Sequence, residues 1–210
     1  MHAPNILATV LASLKAIPIE ATFHRSIANA VLYRKGRKPK LLFALGAGAN
    51  GARFTPVGGP PCLYVSAKPI TTISEATGIA SSLIAAGQAI PQPHTAFSMR
   101  VKLHRGVIDL TDETTILELG SCAAELDGDW LEQMRSEEPI LTQILATAIY
   151  ESNRFQGIRF FSHGDPGQIN LMIWTKKVKA PSFVEVIDSS SVLADRIPKL
   201  RKRLNATKLK

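Results

Sequence analysis

The chain has 210 residues, with 25 Lys+Arg against 17 Asp+Glu and a formal net charge of +8. At 45% hydrophobic and 20% charged, it has the balance of an ordinary globular protein, which excludes disordered, collagen-like and coiled-coil classes and makes one domain the default. Its apolar stretches are too interrupted for a membrane span, and its first residues lack the charged and apolar regions of a secretory signal, so no membrane association and a cytoplasmic location are expected.

Residues 5–15 set Ile6, Leu7, Val10, Leu11 and Leu14 at helical spacing, an apolar stripe that Pro18 ends. Residues 21–25 suit a short strand, followed by a helix-compatible stretch to Arg34. A basic loop comes next, carrying Arg34, Lys35, Arg37, Lys38 and Lys40. Apolar residues 40–45 lead into a glycine-rich turn at 46–51, and residues 62–66 read as a buried strand between Pro61 and Pro69. Thr72-Ile-Ser-Glu75 has the capping-box pattern, predicting a helix that starts there and runs toward Ala86.

Phe97, Met99, Val101 and Leu103 alternate with polar or small residues. With 107–110 they predict two strands or one bent one. Residues 109–138 are acidic. The clearest helix is 139–153, with Ile140, Leu141, Ile144, Leu145, Ala148 and Ile149 on one face and Pro139 suited to its first position. Three strands follow at 157–162, 170–174 and 183–187, then a basic helix over 191–204. Strands and helices mix without regular alternation, so the expected class is α+β in a single compact domain with a terminal helix at each end. The divisions are 1–20 (helical segment), 21–188 (main body) and 189–210 (basic helix).

Two cysteines, Cys62 and Cys122, are too few for a disulfide framework. Five scattered histidines give no metal-ligand spacing, so no metal is expected. The basic runs read as solvated faces, because no aromatic residues are interleaved for base stacking. A nucleic-acid-binding module drawing on the basic tail is the rival from a different functional class.

Gly46-x-Gly48-x-x-Gly51 matches the dinucleotide fingerprint by letter. Its context fails, because the proline- and glycine-rich residues 53–61 cannot form the helix whose N-terminus would hold a pyrophosphate. A wider constellation is more telling. In order come Arg25, Tyr33, Gly51-Ala-Arg53-Phe54, Leu63-Tyr64, Thr72-x-x-Glu75, Val107-Ile-Asp-Leu110, Gly157-Ile-Arg-Phe-Phe-Ser162 and Asn170-Leu171. Each piece is weak alone, but their order resembles the RES family, named for its arginine, glutamate and serine, from about residue 23 to 187.

The resemblance implies a fold similar to the ADP-ribosyltransferase toxins and an active site that consumes NAD as substrate. RES proteins are typically toxins of bacterial toxin-antitoxin pairs, and their usual partner is a helical antitoxin with a DNA-binding domain. Members split nicotinamide from NAD with inorganic phosphate or water as acceptor, or transfer ADP-ribose to a protein acceptor. Phosphorolysis is the first expectation here and mono-ADP-ribosylation of a host protein the second. The sequence departs from the family pattern in a basic insert at about 35–45 and in Thr55, where the family often has Asn.

Carried over residue by residue, the resemblance makes Glu75, Arg53 and Tyr64 the candidate catalytic residues. Arg25, Tyr33, Arg53, Ser162 and Asn170 are the candidate NAD-binding residues. A carboxylate suits Glu75 because loss of nicotinamide leaves positive charge on the ribosyl carbon; its other reading is closure of the capping box with Thr72. Arg25 and Arg53 offer fixed forks of donors to a pyrophosphate. Tyr33 and Tyr64 suit stacking on nicotinamide or bonding to a ribose, against a plain role in core packing. Ser162 suits a phosphate or the nicotinamide amide. His163 reads as a loop residue.

Overall fold

A computed structural model describes residues 1–33, 41–85, 93–136, 139–191 and 193–199. Helix α1 (Pro4–Ser13) has proline in its first turn, where a missing N–H costs nothing, and Leu7 and Leu11 on it are buried together with Leu14 just beyond. Strand β1 (Ile17–Ala28) is longer than residues 21–25 alone, and the short helix α2 (Asn29–Leu32) follows. The glycine run is not an open turn: it forms one helical turn, α3 (Gly46–Asn50), stopped by Gly51 at φ 77°. Ala52 and Thr55 then pair across a tight bridge that leaves Arg53 and Phe54, both buried, at its tip. The glycine fingerprint is thus followed by a turn and not by a cofactor-binding helix.

Strand β2 (Cys62–Ser66) matches expectation, whereas helix α4 (Pro69–Ala85) begins three residues before Thr72. Proline's fixed φ starts the helix, and Thr72 N–H bonds to Lys68 O within it, so the capping-box reading of Thr72 and Glu75 is corrected. Strand β3 (His94–Asp109) is one bent strand. Gly106 sits at φ 76°, and a Cβ there would lie 2.7 Å from the Ile17 backbone, so the bend requires glycine.

The acidic segment holds three short helices that the apolar periodicity does not reveal, α5 (Glu113–Glu118), α6 (Ala123–Leu126) and α7 (Trp130–Arg135). Asp112 and Asp129 cap α5 and α7, accepting from Thr115 N–H and Glu132 N–H. Helix α8 (Leu141–Glu151) starts two residues after Pro139 and buries Leu145, Ala146 and Ile149. Strands β4 (Gly157–Phe161), β5 (Ile169–Trp174), β6 (Phe183–Val186) and β7 (Arg196–Ile197) complete the described chain. The helix expected over 191–204 is absent from 193–199, where β7 pairs with β6; Pro198 disfavours helix at Ile197 before it, and Arg196 bonds Glu185 across the pair. The rest of that expected helix lies outside the described residues.

The pairings β1–β2, β2–β5, β5–β4, β4–β3 and β3–β1 form a closed circuit, with β6 and β7 added on the far side of β3. Among the described residues only β3–β4 is parallel, as fits an α+β protein. Alternation divides the side chains between two cores. Leu63, Val65, Leu171 and Ile173 join Met99, Val101 and Leu103 in one, while Cys62, Ile158, Phe160, Met172 and Trp174 join α1 and α8 in the other. Among the described residues no helix is long and apolar enough to cross a membrane.

Candidate active site

The N-terminal half of α4 turns the usual amphipathic pattern inside out. Ile70 and Ile73 are exposed, while Thr71 and Thr72 are buried and Glu75 follows one turn later on the inward side. Of these, Thr72 and Glu75 line a cavity of about 230 Å³ beside the β1–β2 pairing of His24 with Ser66. Tyr64, Ser66, Glu75, Phe160, His163 and Asn170 are among its lining residues.

Glu75 is the hub. Its Oε1 accepts from the Ser162 hydroxyl, from Gly164 N–H at 3.2 Å and from Asn170 Nδ2 at 2.8 Å. Among the described residues Oε2 has no protein partner, so one carboxylate oxygen is fixed while the other is available to a ligand. These contacts follow from strand ends. Ser162 stands just past β4 and Asn170 near the start of β5, opposite Phe160 on one side and Ser66 on the other. Asn170 is 6% exposed and its Oδ1 has no protein partner, a buried acceptor beside the cavity.

Tyr64 occupies the face shared by Cys62 and Ser66, which grades from core to cavity along β2. Its hydroxyl accepts from Phe54 N–H at 3.1 Å and pairs with Thr55 Oγ1 at 2.9 Å. Burial pushes the phenol up beyond its ordinary range, so Tyr64 stays neutral and offers a ring and a fixed hydroxyl, not a base. Thr55 thus supplies a polar contact of its own, bridging Tyr64 and Cys62 Sγ at 3.1 Å.

Arg53 forms the wall between this cavity and a second one of about 490 Å³ beside α5 and α6. Its Nε and Nη2 donate to Leu126 O at 3.1 and 2.5 Å, and its Nη1 donates to Phe161 O at 3.1 Å. Asp127 Oδ1 lies 3.2 Å from Nη2, and the rings of Phe54 and Phe160 sit 5.3 and 5.5 Å away. Burial lowers the guanidinium from its usual value, while Asp127, Glu75 and Tyr64 oppose the shift. The fork expected for a pyrophosphate is therefore largely engaged by main-chain carbonyls.

Arg53, Tyr64, Glu75, Ser162 and Asn170 are brought together; Arg25 and Tyr33 are not among the cavity's lining residues. Arg25 donates to Leu41 O at 2.8 Å and Phe43 O at 2.7 Å, clamping the stretch after the basic loop, and burial lowers it to about 10. Tyr33 ends α2 with its side chain exposed. Sequence reasoning missed Ser26, Ser66, Trp130 and Asp127. Asp127 Oδ1 also faces His163 Nδ1 at 3.4 Å, so His163 is more than a loop residue: it lines the cavity. The spacing Asp129-x-x-Glu132 was an available signal for α7 and hence for Trp130 at its start. Among the described residues no group of three or more His, Cys, Asp or Glu could hold a metal ion.

Comparison with known proteins places this geometry in context. A family model described as the RES domain matches residues 31–195. A chain of the M. tuberculosis MbcT-MbcA toxin-antitoxin complex has a similar structure, with a TM-score of 0.65, 16% identity, and coverage of 89% of this chain and 92% of that one. No curated protein matches the sequence.

Proposed function

The chain belongs to the RES-domain family, and from that premise we propose that it is an NAD-cleaving toxin acting at the nicotinamide–ribose bond. The observation that carries this reading is Glu75, one oxygen held by three donors and the other available in a cavity walled by Tyr64 and Phe160. Nicotinamide leaves neutral, taking the electron pair of the C–N bond, and the ribosyl carbon becomes cationic. A carboxylate fixed beforehand stabilises that charge without reorganising. Tyr64 offers a ring edge or face to the nicotinamide, and the free Asn170 Oδ1 suits its amide N–H.

In phosphorolysis a phosphate oxygen forms the new bond to the ribosyl carbon, giving ADP-ribose-1″-phosphate. Water would give free ADP-ribose and a proton, and a protein side chain would give an ADP-ribosylated protein. The net charge of +8 favours an anionic acceptor by attraction over the whole surface. The test compares nicotinamide release in inorganic phosphate and in a sulfonate buffer at equal ionic strength, with products read by mass spectrometry. Faster release with the phosphorylated product supports phosphorolysis; free ADP-ribose or protein-bound label alone overturns that acceptor while keeping the cleavage, and no nicotinamide release overturns both.

We further propose a partner antitoxin with a DNA-binding domain. Support comes from the fold shared with a chain of a toxin-antitoxin complex and from Ile70 and Ile73, exposed on the outward face of the helix that carries Glu75. The catalytic body is proposed to span 21–188, close to the matched 31–195.

A further inference from the structure

The loop between β4 and β5 meets the first turns of α4 through contacts that the chemistry above does not use. Thr71 is fully buried, and its hydroxyl donates to Asp165 Oδ2 at 2.6 Å. Asp165 N–H donates to Ser162 Oγ at 3.0 Å, and Ser162 donates its own proton to Glu75 Oε1. A hydroxyl has one proton to give, and with Asp165 N–H already on its oxygen, that of Ser162 is directed at the carboxylate. A chain of hydrogen bonds thus leaves α4 at Thr71, crosses the loop and returns to the helix one turn later.

The loop is also braced internally. Ser162 N–H bonds to Gln168 O at 2.8 Å, and Gln168 N–H bonds to Asp165 O at 3.1 Å. Gly164 rests directly on α4, since a Cβ there would lie 3.3 Å from both Cα and N of Glu75. Two of the three donors to Glu75 Oε1, Ser162 and Gly164, therefore ride on the segment that Asp165 ties down, and only Asn170 belongs to a strand.

The geometry points to Thr71 and Asp165 as a positioning pair, a clasp whose task is to hold Glu75 in one rotamer for the ribosyl cation. This rests on the NAD-cleaving reading of the Glu75 cavity. Asp165 is partly solvent-accessible, so water can take over its carboxylate when Thr71 is removed and the fold loses little. The aim of Glu75 has no such substitute. Loss of the clasp frees Ser162 and Gly164 together, and misplacement of a fixed charge acts on the chemical step more than on substrate binding.

The test uses Thr71→Val, Thr71→Ser and Asp165→Ala in the full chain, with nicotinamide release from NAD, the melting temperature and Gly164 amide exchange by NMR as readouts. Thr71→Val and Asp165→Ala should lower kcat by at least about tenfold with KM for NAD little changed, and Gly164 should exchange faster in both. Thr71→Ser, which keeps the hydroxyl, should restore most of the turnover and the slow exchange. Wild-type kcat and exchange in Thr71→Val would overturn the clasp, as would a loss of turnover that Thr71→Ser shares or that follows a fall in melting temperature. Absence of nicotinamide release from the wild type would count against the NAD reading, and the Gly164 comparison would then decide the clasp without it.

Discussion

Asn170 Nδ2 donates to Glu75 Oε1 at 2.8 Å across 95 positions of chain, joining the start of β5 to the second turn of α4. The amide keeps its own Oδ1 free at the cavity while anchoring the carboxylate. Glu75→Gln keeps the shape of the side chain but removes its charge. It should reduce NAD cleavage by at least roughly a hundredfold, the scale on which a preorganised electrostatic group acts, in a protein that still melts cooperatively. Unchanged turnover in a steady-state nicotinamide assay would remove Glu75 from the chemistry.

Arg53 carries a prediction about stability. Lysine retains the charge but cannot reach Leu126 O and Phe161 O together, leaving a buried or half-buried carbonyl without its donor. Arg53→Lys should cost roughly 2 to 3 kcal/mol in urea unfolding, the scale of hydrogen bonds to a charged group. An unfolding midpoint equal to the wild type would show that Arg53 is free to turn to a ligand instead.

The two thiols differ in environment. Cys122 is exposed, whereas Cys62 is buried, bonded to Thr55 and pushed up to about 11 by its burial. Since the thiolate is the reacting form, iodoacetamide at pH 8 should modify Cys122 completely before Cys62 reacts measurably. Peptide mass spectrometry after timed quenching checks this, and comparable rates at both sites would contradict the packing of β2.

Lys177 offers a test by pH. Its Nζ lies 4.2 Å from the Tyr150 ring centroid and 5.4 Å from that of Trp174, and burial, helped by the charge of Arg105, lowers it from 10.5 to about 8. Between those values the unfolded chain binds more protons than the folded one, so unfolding free energy rises with pH through that window. Wild type should therefore gain stability relative to Lys177→Met as pH goes from about 8 to 10, read as the difference between their melting temperatures. A difference that stays flat or shrinks would contradict the shift.

Much of this architecture was legible from local pattern. The alternation at 99–103 marks a strand that buries one face, the apolar run at 62–66 marks one buried on both, and the stripe at 140–149 marks a helix that buries Leu145 and Ile149 but leaves Ile144 exposed. The resemblance also brought Arg53, Tyr64, Glu75, Ser162 and Asn170 into view as a set. What stayed hidden was decided by partners remote in sequence. Thr72-x-x-Glu75 has the letters of a cap, yet Pro69 starts the helix and Glu75 turns to residues 162–170. Arg25 and Arg53 look alike as cations, and only the carbonyls packed around them show that both brace main chain. Helix α7 went unread because its cap at Asp129 carries the signal and its short apolar face does not.

The closed circuit of strand pairing sets the order in which a newly made chain can acquire its site. Strand β1 finds most of its partners in β3, Ala28 opposite His94 and Ile17 opposite Val107, so the first strand synthesised waits across a loop of many tens of residues. Such non-local pairing pays its loop-closure entropy before any contact rewards it, which places folding among the slower topologies. Glu75 leaves the ribosome well ahead of Ser162, Gly164 and Asn170, the groups that aim it. A nascent chain therefore carries the Glu75 carboxylate without its full set of donors until β5 has been made, and a product truncated before residue 170 lacks the Asn170 amide that completes them.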